Sequence, residues 1–200
     1  MSATKVERQR CPWSMKDHIY QKYHDEVWGV PEHDDRKLFA KLCLDGAQAG
    51  LSWYTILIRT EGYARAFDDW DAEKIARYTP KRIEKLLQDP GIIRNRQKVE
   101  SVVKNAQAYL RIMEGGKGSF NDMLWKHTGH ETLVNNWKEP GQIPASTPVS
   151  DALSKELKKA GFSFVGTTIV YAFMQAVGMV DDHLASCWRR AEQGKKGRRG

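Results

Sequence analysis

Leu86-Leu87-Gln88-Asp89-Pro90-Gly91-Ile92-Ile93-Arg94 joins two segments whose apolar residues recur at helical spacing. Ile83, Leu86 and Leu87 precede the turn, and Val99, Val102, Val103, Ala106, Leu110 and Met113 follow it. Residues three and four apart fall on one face of a helix, so both segments are predicted helical. Proline beside glycine permits a tight turn between them. The second helix, beginning near Asn95, would present unpaired backbone N–H groups and a positive dipole end to a phosphate, with Arg94, Arg96 and Lys98 alongside. Read alone, the segment equally fits an ordinary corner between two helices with solvated charges.

The same periodicity extends outward. Leu38, Leu42 and Cys43 repeat it upstream, Thr79-Pro80 offers a cap followed by proline in the first turn, and Gly115-Gly116 stops the long helix. Ser150-Asp151 is expected to open a further helix that Gly161 closes, whereas Thr128 to Val149, with Pro140, Pro144 and Pro148, reads as a long surface connection. Sustained two-residue alternation is absent, so the fold class is all-α. With 200 residues, 40% of them hydrophobic, one core is expected. The expected domain runs over 11–190, between tails 1–10 and 191–200 that read as disordered.

The net charge of +7 sits mostly at the ends: residues 1–10 carry +2 and Lys195, Lys196, Arg198 and Arg199 carry +4, leaving +1 for the body. DNA binding must therefore be argued from local clusters. No apolar run has bilayer-spanning length, so no membrane association and a cytoplasmic location are expected. In that reducing compartment the three cysteines suit thiolate or metal-ligand roles better than disulfides.

Two short segments near opposite ends supply two cysteines and two histidines at their limits, Cys11 and His24 in the first and His183 and Cys187 in the second. Histidine and cysteine four apart would share a helix face, while the first pair would come from a loop, and zinc accepts such a set tetrahedrally. Two core cysteines and two surface histidines are the plainer alternative. Cys43, on an apolar helical stretch, reads as a small buried hydrophobe.

A further block, Leu44-Asp45-Gly46-Ala47-Gln48-Ala49-Gly50-Leu51-Ser52-Trp53, narrows the reading. Taken with Tyr20, Tyr23-His24-Asp25, Trp28-Gly29-Val30-Pro31, the Pro90 to Arg94 turn and Phe164 to Thr168, it resembles the bacterial 3-methyladenine DNA glycosylases of the constitutive type. The likeness runs in order from Cys11 to Cys187. It implies a helix-hairpin-helix fold, a structural zinc held by Cys11, His24, His183 and Cys187, and hydrolytic excision of N3-methylated adenine from double-stranded alkylated DNA. Methylation at N3 leaves the purine cationic and already activated as a leaving group, so strong acid catalysis is unnecessary. The protein's task is to extrude the nucleotide and hold the base in a water-poor pocket.

On the resemblance, Trp53 is the main stacking surface, Tyr20 and Tyr23 line the pocket, Trp13 and Trp28 close it, and Asp45 supplies the carboxylate. Rings suit a cationic base through dispersion and cation–π attraction, and a carboxylate favours the charged lesion over adenine. Gln48 and Leu51 are candidates to fill the gap left by the flipped base, with Gly91, Arg94 and Arg96 on the backbone side. Helical core packing is the competing role for Leu51. A monomer is expected.

The chain departs from the family at two points. Asp45 stands where glutamate is usual, which withdraws the carboxylate by up to about 1.5 Å, one C–C bond. Val27 replaces an acid before Trp28-Gly29, and the neighbouring acid is Glu26. Residues 95–113 contain no aspartate, so no classical general base is expected. Lys98 reads as a solvated charge, and no lyase activity is expected. A lesion-binding protein without turnover, or a glycosylase for another alkylated base, remains open on these residues.

Overall fold

Short polar side chains set the starts of most of the helices in the computed structural model, which describes residues 8–190. Asp17 caps α1 (His18–Glu26), Asp34 caps α2 (Asp35–Gln48) and Ser52 caps α3 (Trp53–Leu57), each side chain accepting a backbone N–H of the first turn. After α4 (Thr60–Ala66), Asp71 caps α5 (Ala72–Ile75), Thr79 caps α6 (Pro80–Leu86) and Asn95 caps α7 (Arg96–Glu114). Ser119 and Thr147 form capping boxes at α8 (Phe120–Trp125) and α9 (Pro148–Ala160), and α10 (Thr167–Ala176) follows Gly166.

Helix α2 lies at the centre and packs against α3, α7, α8 and α10. It buries Leu38, Phe39, Leu42 and Cys43, as Cys43 was expected to be, and α7 answers with Val99, Val102 and Ala106. Each such aliphatic side chain taken from water contributes about 1.5–3 kcal/mol. That stripe anchors the frame on which Asp45 and Trp53 are held.

Several expectations change. Helix α9 opens at Thr147-Pro148, two residues before Ser150-Asp151, because Thr147 supplies the cap and Ser150 its reciprocal partner at 2.9 Å; Gly161 closes it at φ +101° as expected. The connection from Thr128 is no bare loop: Leu133–Val134 (β1) pairs in parallel with Val180–Asp181 (β2), a two-residue ladder that is the only sheet among the described residues. Met113, in the last turn of α7, is 38% exposed, its sulfur accepting the Phe120 N–H.

The Pro90-Gly91 turn joins α6 to α7 as the spacing predicts. Asp89 accepts the Gly91 N–H at 2.7 Å and the Tyr63 hydroxyl accepts the Ile93 N–H at 3.2 Å. A Cβ on Gly62 would stand 2.3 Å from the Gly91 carbonyl oxygen, so α4 presses on the turn. Lys98 is not the solvated charge it was read to be. Its ammonium donates to the carbonyls of Ala47 and Ala49 at 2.8 and 2.6 Å, satisfying the C-terminal end of α2. Among the described residues no helix is long and apolar enough to cross a membrane. Residues 1–7 and 191–200, which carry most of the basic-tail expectation, lie outside those described. Arg10 belongs to the packed structure, its guanidinium forked on Asp25 at 2.8–3.0 Å.

Gly62→Ala should force α4 and the turn apart and cost about 1–3 kcal/mol as an overpacking substitution. The urea midpoint at unchanged m-value measures it, and an unmoved midpoint contradicts the close approach.

Candidate active site and metal centre

A cavity of about 270 Å³ opens between α1, α2, α3 and α10. Its walls include Trp13, Tyr20, Tyr23, Trp28, Asp45, Gln48 and Trp53. Residues from three separate sequence blocks thus converge on one void. Tyr23 and Trp53 lie with ring centroids 5.4 Å apart at 42°, and Trp13 meets Tyr20 and Trp28 edge-on at 5.3 and 5.1 Å. Trp28 is buried, whereas Trp13 is 36% exposed and stands at the mouth.

Asp45 projects from the last turns of α2 and is buried. One carboxylate oxygen takes the ammonium of Lys41, one helical turn earlier. The other, Oδ2, is buried without a hydrogen-bond partner, as is Trp53 Nε1. Buried polar atoms are ordinarily satisfied, so an unpaired acceptor and an unpaired donor in the walls of one cavity mark places where a ligand can bond. Burial pushes the Asp45 carboxyl above its ordinary range, with Lys41 opposing, and burial likewise pushes Lys41 down. Tyr23, also buried and near Asp45, is held well above the usual phenol range.

Lys41 was not anticipated, although its spacing of four from Asp45 on a helix is the pattern of facing charges. Its ammonium lies 3.9 Å from the Trp53 ring centroid. Gln175 also lines the cavity, held by Asp182 at 2.8 Å. That carboxylate further accepts Tyr171, Asn135 and Trp137 at 2.6–2.7 Å. Nothing in the local sequence near Asp45 points to Gln175, which reaches the same cavity from a helix far along the chain.

The other candidates are half-buried or exposed. Leu51, after Gly50 at φ +75°, is 40% exposed rather than packed in the core. Gln48 lines the cavity beneath it. Gly91 sits in the turn and Arg94 is exposed at the approach to α7. Arg96 is engaged by Glu84 at 2.6 Å and Glu100 at 3.6 Å.

At the chain ends, Cys11, His24 and Cys187 bring one sulfur, nitrogen and sulfur atom each to within 4.8 Å of one another, all buried. This group could hold a metal. His24 comes from helix α1 rather than from a loop, and His183 to Cys187 is an irregular turn rather than a helix, with the Cys187 N–H on the Leu184 carbonyl at 2.8 Å. The β ladder ends at Asp181, immediately before this segment. His183 is fully buried with Nδ1 on Asp181 at 2.8 Å and Nε2 unpartnered. Asp25 holds His24 Nδ1 at 2.9 Å. A Cβ on Gly29, at φ +76°, would fall 2.6 Å from His183, so glycine is required there. Sharing a proton with the Cys11 thiol, with the His24 ring assisting, holds Cys187 below the usual thiol range, while Cys11 is driven up by that same sharing.

An all-α chain with a base-sized cavity of rings and one acid has the makings of a DNA-repair glycosylase. The chain belongs to the methyladenine glycosylase family, whose model matches residues 13–190. It is 49% identical over 178 residues to the DNA-3-methyladenine glycosylase of Haemophilus influenzae, covering 89% of this chain and 96% of that one. A crystal structure of 3-methyladenine DNA glycosylase I superposes with TM-score 0.88 at 48% identity, covering 90% and 98% of the two chains. The Staphylococcus aureus enzyme, solved for its recognition of 3-methyladenine, gives 0.87 at 38% identity, covering 90% and 96%.

An NMR titration of the Asp45 side chain should give a midpoint above the ordinary aspartate value of about 3.9. Lys41→Met, by removing the attracting charge, should raise it further. A midpoint at or below the ordinary value contradicts burial as the dominant influence.

Proposed function

We propose that this chain is a monofunctional DNA glycosylase that hydrolyses the bond between deoxyribose and 3-methyladenine in double-stranded alkylated DNA. The observation that carries the reading is the unpartnered Asp45 Oδ2 inside the aromatic cavity. A cavity of about 270 Å³ falls just below the roughly 300–1,000 Å³ of sites for drug-sized ligands, which suits a single purine. The family and the relatives' names agree with it.

In this reading the flipped base stacks on Trp53 beside Tyr23, with Tyr20, Trp13 and Trp28 enclosing it. Asp45 accepts from the exocyclic amine and matches the lesion's positive charge; undamaged adenine, being neutral, gains less from it. Water attacks C1′, the electrons of the glycosidic bond pass to the purine, and the base departs neutral while the water's proton leaves to solvent. Asp45 holds the base and moves no proton in this scheme. Leu51 and Gln48 fill the space left in the duplex, and Gly91 and Arg94 face its backbone, with Arg96 free to join once released from Glu84 and Glu100. The hairpin-linked pair α6–α7 acts as a helix-hairpin-helix, and the enzyme works in the cytoplasm as a monomer.

The chain forms one domain over 11–190, with 11–30 and 176–190 joined by a structural zinc on Cys11, His24, His183 and Cys187. The fit rests on the donor chemistry: two sulfurs, one of them readily ionised, and two imidazoles whose Nδ1 atoms are held by carboxylates, leaving each Nε2 turned away from that carboxylate. His183 Nε2 is otherwise a buried orphan. With four protein ligands such an ion supplies rigidity, fixing α1 and hence Tyr20 and Tyr23.

Incubation with methylated DNA should release 3-methyladenine, identified by chromatography. Asp45→Asn, losing a hydrogen bond to charge, should slow release by about 10–100-fold. Release of a different base, binding without release, or an unaffected variant each contradicts the reading. Elemental analysis should find close to one zinc per chain, and chelation should lower Tm more than it changes chemistry in the folded fraction. Less than about half a zinc per chain after metal-replete purification counts against the site.

A further inference from the structure

Lys41 occupies the place that a cationic base is expected to take. Its ammonium is bonded to Asp45 and stands 3.9 Å from the centroid of the Trp53 ring. Those are the two groups the preceding reading assigns to the lesion: the carboxylate for its charge and the indole face for its π system. The pocket therefore already holds one positive charge against its one acid.

Two unit charges cannot share this space without cost. In a site shielded from water, like charges at contact distance repel strongly, and the Asp45 carboxylate cannot fully serve both. A neutral ring entering the cavity could leave the ammonium on Asp45 and stack alongside. A positive one requires the ammonium to leave.

There is somewhere for it to go. Lys41 is also in the wall of a second cavity, of about 290 Å³, on its other side. That cavity is lined by Glu26 and Glu32, and Glu32 already attracts the Lys37 ammonium at 3.3 Å. Glu26, approached at 4.0 Å by the exposed Lys22 ammonium, is the less engaged of the two acids. Lysine's four-carbon stem makes such a swing a change of rotamer rather than of backbone. The presence of an acid at position 26 rather than 27, unexplained by the sequence, acquires a role on this view.

We propose that Lys41 is a specificity-determining residue, a built-in cation that a positively charged base must displace from Asp45 and Trp53 into the cavity bounded by Glu26 and Glu32. This rests on the base-pocket reading above. The ammonium keeps the empty pocket charge-neutral, and a neutral purine stacks beside it without having to displace it. Lys41 weakens the grip on the cationic lesion more than the grip on the neutral product.

The test uses two free bases and the full chain. One is 3,9-dimethyladeninium, permanently cationic with a methyl in place of the sugar, and the other is 3-methyladenine near neutral pH, where it is largely uncharged. Dissociation constants are measured by tryptophan fluorescence for wild type, Lys41→Met, Lys41→Gln and Lys41→Arg. Removing the charge should tighten the cation about tenfold relative to the neutral base, in both uncharged variants, while Lys41→Arg keeps the wild-type ratio; tenfold corresponds to about 1.4 kcal/mol. Glu26→Gln should weaken cation binding when Lys41 is present and leave it unchanged in Lys41→Met. An unchanged ratio in the uncharged variants, or weaker cation binding there, overturns the proposal, the second result being that of a lysine needed only to hold Asp45. Base release from methylated DNA by the wild-type protein keeps the two readings apart. Release with an unchanged ratio sinks the role of Lys41 alone, whereas no release and no binding of either base removes the pocket reading and the inference together.

Discussion

A carboxylate buried in an aromatic cavity is the constraint around which this structure is arranged. Asp45 is costly to bury, and burial raises its pKa toward the neutral form. It is held there because Lys41, on the preceding turn of the same helix, partly compensates the charge. That compensation is incomplete: one oxygen remains unpaired. Protein interiors seldom tolerate such an atom unless something else satisfies it, and a ligand amine is the partner that the proposed function supplies.

The rest of the fold fixes what surrounds that acid. Helix α2 carries Asp45 on a frame anchored by Leu38, Phe39 and Leu42, and Lys98 of α7 seals its C-terminal end. Tyr20 and Tyr23 come from α1, which is tied down by Arg10 on Asp25 and places His24 beside Cys11 and Cys187. Trp53 opens α3 behind the Ser52 cap. Gln175 of α10 completes the wall through its bond to Asp182. The proposed zinc would therefore act on the pocket at a distance, through the orientation of α1, and the hairpin would act on it through Lys98, at the end of α2 that carries Gln48 and leads to Leu51.

Much of this was legible in the residues themselves. Helical periodicity located α6 and α7, and the Pro90-Gly91 turn lies where punctuation by proline and glycine put it. The family resemblance brought Tyr20, Tyr23, Asp45 and Trp53 together before any geometry was known, and all four line one cavity. What escaped was set by contacts distant in sequence. The turn at His183 to Cys187 has helical spacing, yet the β1–β2 ladder straightens its approach. Lys98 looks solvated until the C-terminal carbonyls of α2 are seen to need a donor. Lys41 carried a visible signal, its spacing from Asp45, but pairing at that spacing is so common on helix surfaces that only the burial of both partners reveals its meaning. The Thr147 cap was missed because Ser150, its partner in the capping box, resembles a cap in its own right.

The decisive measurement is a crystal structure of the protein soaked with 3-methyladenine. The account predicts the purine in the cavity beside Tyr23 and Trp53, with its exocyclic amine within hydrogen-bonding distance of Asp45 Oδ2. A base found elsewhere on the surface, or a cavity left empty at saturating ligand with Asp45 still bonded only to Lys41, would contradict it.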